Sequence, residues 1–301
     1  MRITVFTPTY NRAYIIKNLY NSLLEQDFRD FEWVVVDDGS TDETESLFQR
    51  FQREASFPIQ YRKVENGGKQ RAINKGVSMA KGELFFTVDS DSYLPKNALS
   101  MIDKVEKTIP IEEKSKFAGV CGLRGFVQGG IIGKTFDGEF LDITNLDRRK
   151  NGIFGDKAEV LYTQILKKYP FPEFEGEKFV TEAVVWDRIA YEGYKTRFFN
   201  EIVYIGDYLA DGLTAKYDTL LKNNPKGHGL YIYQSVVFGK LRSRLKYNSY
   251  LQYYQWHKKE ISLSEISKNL HKNPFVLYIH LMGFRMIRAI YRIFKGNGTD
   301  V

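Results

Sequence analysis

Two aspartates in the first hundred residues have the spacing of a cation site. Asp89 and Asp91 stand one residue apart, directly after the apolar run Leu84–Val88. Two carboxylates at the end of a strand can hold a hard divalent cation such as Mg²⁺ or Mn²⁺, together with phosphates that bind the same cation. Taken alone, the pair is also compatible with a solvated turn that caps the next helix.

A second acidic cluster, Asp37-Asp38-Gly39-Ser40, follows the apolar run Phe31–Val36. A carboxylate at this position can accept hydrogen bonds from a base N–H or a ribose hydroxyl. Gly39 and Ser40 suit a helix-capping turn equally well. Both interpretations can hold together, with Asp37 structural and Asp38 facing a ligand.

A third polar cluster is the loop 65–71, which reads ENGGKQR. Its two glycines come just before a helix predicted over Lys69–Ala80, so their N–H groups lie at the positive end of that helix. With Asn66, Lys69 and Arg71 close by, the loop could bind a diphosphate. It lacks the spacing of a P-loop, and an ordinary loop leading into a helix is the alternative.

The elements around these clusters alternate between strands and helices. Apolar runs predict buried strands, and apolar positions at helical spacing predict a helix over Arg12–Gln26 and another that begins with Ser40 or Thr41 as its cap. The predicted strands are Ile3–Thr7, Phe31–Val36, Ile59–Val64 and Leu84–Val88. This order favours a parallel sheet, in which ligands bind beyond the carboxyl ends of the strands. The polar clusters should therefore meet in one cleft.

Composition limits the class of protein. The chain has 301 residues, of which 43% are hydrophobic and 27% charged, as expected for one large folded domain or two unequal ones. A single cysteine excludes a disulfide framework and a Cys-based zinc site. The first residues contain no long apolar run, which favours a cytoplasmic protein.

Positive charge is concentrated in the last quarter of the chain. The net charge is +7, and residues 226–301 contain 13 basic and only 3 acidic residues. Such asymmetry suggests a segment that meets an anionic surface. We expect a membrane rather than nucleic acid, because the sequence contains no nucleic-acid motif.

Four segments in a fixed order carry a family resemblance. TPTYNR at 7–12, VVVDDGSTD at 34–42, ENGGKQRAINKGV at 65–77 and GELFFTVDSDSYL at 82–94 together resemble family 2 glycosyltransferases with the GT-A fold. The resemblance implies an α/β catalytic domain over 1–217, with a Rossmann-like, mixed and mostly parallel sheet. Its nucleotide-sugar half would cover about 1–100 and its acceptor half about 101–217. A basic, aromatic helical extension would follow over 218–301.

The resemblance also implies a nucleotide-sugar donor, with UDP favoured, and a Mn²⁺ or Mg²⁺ cofactor. Pro8 and Tyr10 would contact the base, and Asp38 would accept a hydrogen bond from it. Asp89 would lie near the ribose and the metal, and Asp91 would be the direct metal ligand.

Lys69, with Arg71 as a second candidate, would approach the diphosphate beside Asn66. The sequence departs from the family here. Many members carry an arginine just before the asparagine of the third motif, where this chain has Ile73. Lys69 or Arg71 would have to replace that contact.

A candidate general base follows from an acidic pair of the family, which precedes an arginine by six residues. Thr181-Glu182 stands at that distance from Arg188, so Glu182 matches the second acid and Asp187 is the fallback. An inverting transfer needs a carboxylate that takes the proton from the acceptor hydroxyl. The alternative is that Glu182 only occupies the first turn of a helix, where acids are favoured.

The basic tail predicts an amphipathic helix from Pro274 to about Lys295. Its uncharged stretch, 274–284, is shorter than the roughly 20 residues of a spanning helix. Basic residues recur along one face, and they are Arg285, Arg288, Arg292 and Lys295. We expect residues 240–295 to contact an anionic membrane surface. Packing on the catalytic domain or on a second subunit is the alternative.

The sequence therefore predicts a metal-dependent inverting glycosyltransferase on the inner face of the cell membrane. Its acceptor would be a hydroxyl of a growing, lipid-linked glycan, as in bacterial surface polysaccharides. An inactive nucleotide-sugar-binding or scaffolding protein is an alternative. A sugar nucleotidyltransferase is less favoured, because TPTYNR is not the Gly-rich, Arg-containing loop that such enzymes need after the first strand. The sequence is also compatible with an oligomer.

Overall fold

The computed structural model describes residues 1–240, 243–279 and 281–283. Within them the chain forms two compact units. The first unit contains Met1–Glu173 and Val185–Lys216, and the second contains Phe174–Val184 and the chain from Tyr217 onward.

The first unit is built on one eight-stranded sheet. The strands are β1 (Ile3–Thr9), β2 (Phe31–Asp37), β3 (Ile59–Lys63), β4 (Leu84–Thr87), β5 (Phe117–Gly125), β6 (Phe140–Ile143), β7 (Lys157–Tyr162) and β8 (Lys195–Ile205). Their spatial order is β3-β2-β1-β4-β7-β5-β8-β6. The first four are parallel, β7 runs antiparallel to β4 and β5, and β6 runs antiparallel to β8. The expected mixed, mostly parallel sheet is confirmed.

Helices follow the strands in the predicted alternation. Up to residue 191 they are α1 (Lys17–Leu24), α2 (Thr44–Glu54), α3 (Lys69–Met79), α4 (Ala98–Lys107), α5 (Thr163–Lys168) and α6 (Ala183–Tyr191). Further along are α7 (Tyr217–Asn223), α8 (Pro225–Val237), α9 (Ser243–His257) and α10 (Leu263–Asn269). Residues 274–279 and 281–283 are helical as well.

Hydrophobic burial on the two faces of the sheet holds the first unit together. Trp33 and Val35 belong to one core cluster, whereas Val34 and Val36 belong to the other. β2 is therefore buried along its whole length, as expected for a parallel strand with helices on both faces. The buried carboxylate of Glu32 in this strand is compensated by hydrogen bonds at 2.7 Å from the side chains of Thr4 and Gln60 and from a backbone N–H.

Two predictions about helix starts are wrong. The helix expected from Arg12 begins only at Lys17. Ser40 and Thr41 do not cap α2, because they bond Asn11 instead: Ser40 Oγ accepts from the Asn11 N–H at 2.8 Å, and Asn11 Oδ1 accepts from the Thr41 N–H at 2.8 Å. The N-cap residue is Glu43, which makes no side-chain cap bond, and the first N–H of the helix, that of Thr44, donates to Asp42 Oδ1 at 3.1 Å.

The second unit is helical, as predicted for the chain after 217, but it contains more helices than the two or three expected. Tyr253, Ile266 and Leu277 lie in its hydrophobic core. The short segment 174–184 joins this unit through Glu177, whose carboxylate accepts hydrogen bonds at 2.7 and 2.9 Å from two N–H groups in the first turn of α8.

The final helical segment begins at Pro274, as predicted. Its expected end near Lys295 lies outside the described residues. In the part of the chain that the structure describes, none of the helices is long and apolar enough to cross a membrane.

Candidate functional site

The carboxyl ends of β1, β2, β3 and β4 lie side by side. Thr9 on β1 is in register with Asp37 on β2, and Asp37 in turn with Lys63 on β3. On the other side, Phe6 pairs with Thr87 at the end of β4. The polar clusters that follow these strands therefore lie along one edge of the sheet, as the sequence predicts.

Asp38 shapes the glycine loop that precedes α3. Its carboxylate accepts hydrogen bonds from the N–H groups of Gly67 at 2.7 Å and Gly68 at 2.9 Å. Asn66 Nδ2 donates to the Asp38 carbonyl at 2.8 Å, and Gly39, at φ +84°, lets the two segments approach closely. Asp38 is thus the group that positions the loop, and its contact with a base stays a prediction.

The other residues assigned to the base differ in their exposure. Tyr10 is 49% exposed, so its ring is available for stacking, and Pro8 is half-buried. Asp37 is fully buried. Its carboxylate accepts from the Ser40 N–H at 2.7 Å and from the Tyr61 hydroxyl, which agrees with the structural role expected of it.

The carboxylate of Asp89 lies near side chains from three other elements, α3, β5 and β8. Lys69 Nζ donates to its Oδ1 at 2.7 Å, and the Tyr204 hydroxyl donates to its Oδ2 at 3.0 Å. Arg124 Nη1 lies 3.9 Å from Oδ2. Burial alone would raise the pKa of Asp89, but the charges of Lys69 and Arg124 and the two hydrogen bonds lower it to about 2. Asp89 therefore stays an anion at neutral pH.

Asp91 has the opposite electrostatic environment. Burial and the neighbouring charge of Asp89 raise its pKa, against the smaller effect of Arg12. In the described part of the chain, the one side chain that donates a hydrogen bond to Asp91 is that of Ser92, whose Oγ lies at the long distance of 3.4 Å. A divalent cation would remove this repulsion, and two aspartates supply the oxygen ligands that such a cation prefers.

The residues present therefore fit a divalent cation that is completed by other oxygen ligands. Within residues 1–240, 243–279 and 281–283 there is no group of three or more His, Cys, Asp or Glu that could hold a metal by itself. Mg²⁺ in particular is commonly held by one or two carboxylates together with phosphates of the substrate. Asp91 and Asp89 can serve in this way.

The two cations of the third motif are engaged with the protein. Lys69 bonds Asp89, as described. Arg71 Nη1 donates to the Gly67 carbonyl at 2.6 Å, and its Nε lies 3.4 Å from Glu173. Ile73, at the family's arginine position, is 1% exposed in the hydrophobic core, so this position carries no polar contact.

Sequence reasoning missed two residues at the same edge, Arg124 and Tyr204. Arg124 lies near the end of β5, with its guanidinium stacked over the Tyr204 ring, 4.1 Å from the ring centroid. It also approaches Asp156, at 3.9 Å. Arg124 follows the apolar run Phe117–Leu123, so the rule that drew attention to the first four strand ends would have found it here too.

A tether between Arg12 and Asp211 was also missed. Arg12 forms an ion pair with Asp211, and the Tyr14 hydroxyl donates to the same carboxylate at 3.1 Å. Asp211 belongs to the irregular segment 206–213, close to the loop predicted over Asp207–Thr214. This segment is therefore fixed to the residues that follow β1.

The two candidate bases differ in exposure. Glu182 directly precedes α6, belongs to the second unit and is partly exposed. Asp187, within α6, is 1% exposed and accepts a hydrogen bond from Asn145 Nδ2 at 3.0 Å. A group that meets an acceptor hydroxyl must be accessible, and this favours Glu182.

Comparison with known proteins gives a family match over the region that contains these strand ends. Residues 4–129 match the family model "Glycosyl transferase family 2". The poly(ribitol-phosphate) β-N-acetylglucosaminyltransferase TarS of Staphylococcus aureus is 38% identical over 101 residues, which are 33% of this chain and 18% of TarS. A GalNAc(5)-diNAcBac-PP-undecaprenol β-1,3-glucosyltransferase of Campylobacter jejuni is 28% identical over 194 residues, covering 62% of this chain and 58% of that protein. The matched region is thus only a small part of TarS.

Solved structures extend the likeness to most of the chain. The structure of S. aureus TarS 1–349 in complex with UDP has a TM-score of 0.59 at 22% identity and covers 88% of this chain and 73% of that one. The structure of the mannosyltransferase PcManGT of Pyrobaculum calidifontis, in complex with GDP-Man and Mn²⁺, has a TM-score of 0.54 at 18% identity. The match covers 97% of this chain and 80% of that one. This likeness shows the fold, and the expected GT-A fold is confirmed.

Replacing Asp38 should destabilise the site. In Asp38→Asn an amide NH₂ takes the place of one carboxylate oxygen and faces a backbone N–H of the glycine loop. We expect the free energy of unfolding to fall by about 1–3 kcal/mol, the cost of leaving a buried donor unsatisfied. Urea denaturation followed by tryptophan fluorescence measures this. Asp30→Asn, at an exposed carboxylate before β2, is the control and should change little. Equal stability of Asp38→Asn and wild type would contradict the role given to Asp38.

Proposed function

We propose that this chain, whose residues 4–129 are a family 2 glycosyltransferase domain, transfers a sugar from a nucleoside diphosphate to a hydroxyl of a growing glycan. The observation that carries the proposal is the juxtaposition of Asp38, the glycine loop and Asp89 at the ends of parallel strands, inside the region of the family match. Donor, acceptor and stereochemistry are inferred, since the chain matches only part of its curated relatives.

UDP is the favoured nucleotide. The TarS neighbour is known in complexes with UDP and with UDP-GlcNAc, and its sequence is 38% identical to this chain over 101 residues. We propose that Pro8 and Tyr10 contact the nucleobase, on which the exposed ring of Tyr10 can stack. The N–H groups of Gly67 and Gly68, which the sequence offered to a diphosphate, donate to Asp38 instead, so a diphosphate beside this loop would depend on the positive end of α3 rather than on these two groups.

Asp91 and Asp89 would hold Mn²⁺ or Mg²⁺. When bound, the cation offsets the negative charge that develops on the departing nucleoside diphosphate. Lys69 holds Asp89 in place as an anion, so the two carboxylates have different tasks. The raised pKa of Asp91, which comes from burial and from Asp89, supports it as the group that gains most from the cation.

Glu182 would act as the general base. It would remove the proton from the acceptor hydroxyl while that oxygen attacks the anomeric carbon. Direct attack on the face opposite the diphosphate inverts the anomeric configuration. The acceptor is proposed to be a lipid-linked glycan, because the Campylobacter relative is named for an undecaprenol-linked substrate.

Peripheral membrane contact would bring the enzyme to such an acceptor. In the helical segment that begins at Pro274, Leu277 and Leu281 are buried, whereas large apolar side chains on the other faces are exposed. The exposed ones are Phe275, Val276, Tyr278, Ile279 and Met282. The sequence continues with four basic residues at helical spacing. Exposed apolar groups next to basic ones suit the headgroup region of the cytoplasmic face of a membrane.

Asp91 is expected to be required for metal-dependent nucleotide binding. Asp91→Ala should weaken the binding of UDP in the presence of Mn²⁺ by about 10- to 100-fold, the usual effect of losing an interaction with a charged group. Isothermal titration calorimetry measures this. Asp137→Ala, at an exposed aspartate, should bind UDP as the wild type does. Unchanged binding by Asp91→Ala would argue against Asp91 as the metal ligand.

Glu182 should matter for transfer but not for donor binding. We expect Glu182→Gln to lower the transfer rate by about 10²- to 10⁴-fold, the usual contribution of a general base, and to keep the affinity for UDP with Mn²⁺. Glu192→Gln, at an exposed glutamate just after α6, is the matched control. Wild-type turnover by Glu182→Gln would show that Glu182 is not the general base and would point to Asp187 or to another group.

Membrane binding should depend on the exposed face of the final helical segment. The double variant Phe275→Ser/Ile279→Ser should lose at least about tenfold in affinity for vesicles that contain phosphatidylglycerol, because each buried apolar side chain contributes roughly 1.5–3 kcal/mol. Co-sedimentation measures the bound fraction. Ile111→Ser, at an isoleucine that is 84% exposed, controls for the loss of apolar surface elsewhere. Binding that the double variant retains would exclude this face.

A further inference from the structure

The guanidinium of Arg124 is held in place without a hydrogen bond to any residue that the structure describes. Its side chain is only 14% exposed, and its Nε has no hydrogen-bond partner among the described residues. Both carboxylates near Nη1, those of Asp89 and Asp156, lie 3.9 Å away. That distance is beyond the 2.7–3.2 Å of a hydrogen bond.

Stacking is what fixes Arg124. The guanidinium lies 4.1 Å from the centroid of the Tyr204 ring, and the Tyr204 hydroxyl in turn bonds Asp89 at 3.0 Å. Stacking leaves the N–H groups of an arginine free to bind in the plane of the guanidinium. One tyrosine therefore positions both Arg124 and Asp89, and Arg124 Nη1 lies 3.9 Å from Asp89, one of the two carboxylates that we assign to the metal.

A buried cation with unused donors is costly by itself and favours an anionic ligand. The three positions of the third motif that could supply a positive charge to such an anion do not do so. Lys69 bonds Asp89, Arg71 bonds the Gly67 carbonyl, and Ile73 lies in the core. Arg124 is thus an arginine with two carboxylates at 3.9 Å and with hydrogen-bond donors that are left over for a ligand.

We propose that Arg124 binds the β-phosphate of the nucleoside diphosphate and stabilises its negative charge as the sugar departs. Its planar fork can donate two hydrogen bonds to one phosphate group. The contact replaces the one that the family's arginine at position 73 would make. This inference rests on the proposed function, since it assumes a nucleoside diphosphate beside Asp89 and Asp91.

A comparison of di- and monophosphate ligands tests the proposal. Calorimetric titrations with Mn²⁺ would compare UDP and UMP on the wild type, on Arg124→Met, which has no charge, and on Arg124→Lys, which keeps the charge without the fork. A contact to the β-phosphate predicts that Arg124→Met binds UDP about 10- to 100-fold more weakly and that Arg124→Lys lies between it and the wild type. The affinity for UMP should change less than about threefold.

Arg197 offers a matched control. Its side chain is 11% exposed, and it packs on the rings of Phe117 and Phe140. Its donors, in contrast, bind Asp142 and Thr108. Arg197→Lys and Arg197→Met should alter thermal stability without a selective effect on UDP.

Two results would overturn the proposal. In the first, Arg124→Met loses affinity for UDP and for UMP by the same factor, as expected for a structural role. In the second, Arg124→Met binds both ligands as tightly as the wild type does. If Arg124→Met does not fold, Arg124→Lys decides between the same outcomes. A wild-type protein that binds none of UDP, GDP and dTDP would instead remove the proposed function and the inference with it.

Discussion

The carboxylate of Asp89 is the interaction on which the rest of the site depends. It follows β4, and it gathers Lys69 from α3 and Tyr204 from β8, with Arg124 of β5 at 3.9 Å. These elements come from residues between 69 and 204 of the chain, and the parallel strands alone would not fix their side chains. Hydrogen bonds to an ionised group are among the stronger ones in proteins. Removing this carboxylate would take away the hydrogen-bond acceptor of Lys69 and one of the two carboxylates near Arg124.

The same arrangement separates the two aspartates of the pair. Burial opposes ionisation of both, but the cations next to Asp89 lower its pKa to about 2, whereas burial and the charge of Asp89 raise the pKa of Asp91. Neighbouring carboxylates with different environments commonly have different tasks. Here Asp89 organises protein groups and Asp91 is left to a ligand from outside, in agreement with the division of roles proposed above.

Much of the sheet could be predicted from sequence, because buried parallel strands are continuous apolar runs and ligands bind at their carboxyl ends. The start of α2 could not, because Ser40 and Thr41 bond Asn11 and the helix begins only at Thr44. Arg124, Tyr204 and the pair of Arg12 with Asp211 join residues far apart in the chain. Only the strand order brings them together, and that order depends on the insertion of β7 between β4 and β5. The place of Asp38 was predicted, but its bonds to the glycine loop were not.

The most direct test of glycosyl transfer is turnover of a donor by the unmodified chain. Purified protein with Mn²⁺ or Mg²⁺ would receive a panel of UDP-, GDP- and dTDP-sugars, and release of the nucleoside diphosphate would be measured with and without a lipid-linked glycan acceptor. The account predicts that one class of donor, UDP-sugars, is consumed, that chelation of the metal stops the reaction, and that the acceptor accelerates it. Absence of both turnover and metal-dependent binding for every donor would contradict an enzymatic role and favour a scaffolding protein.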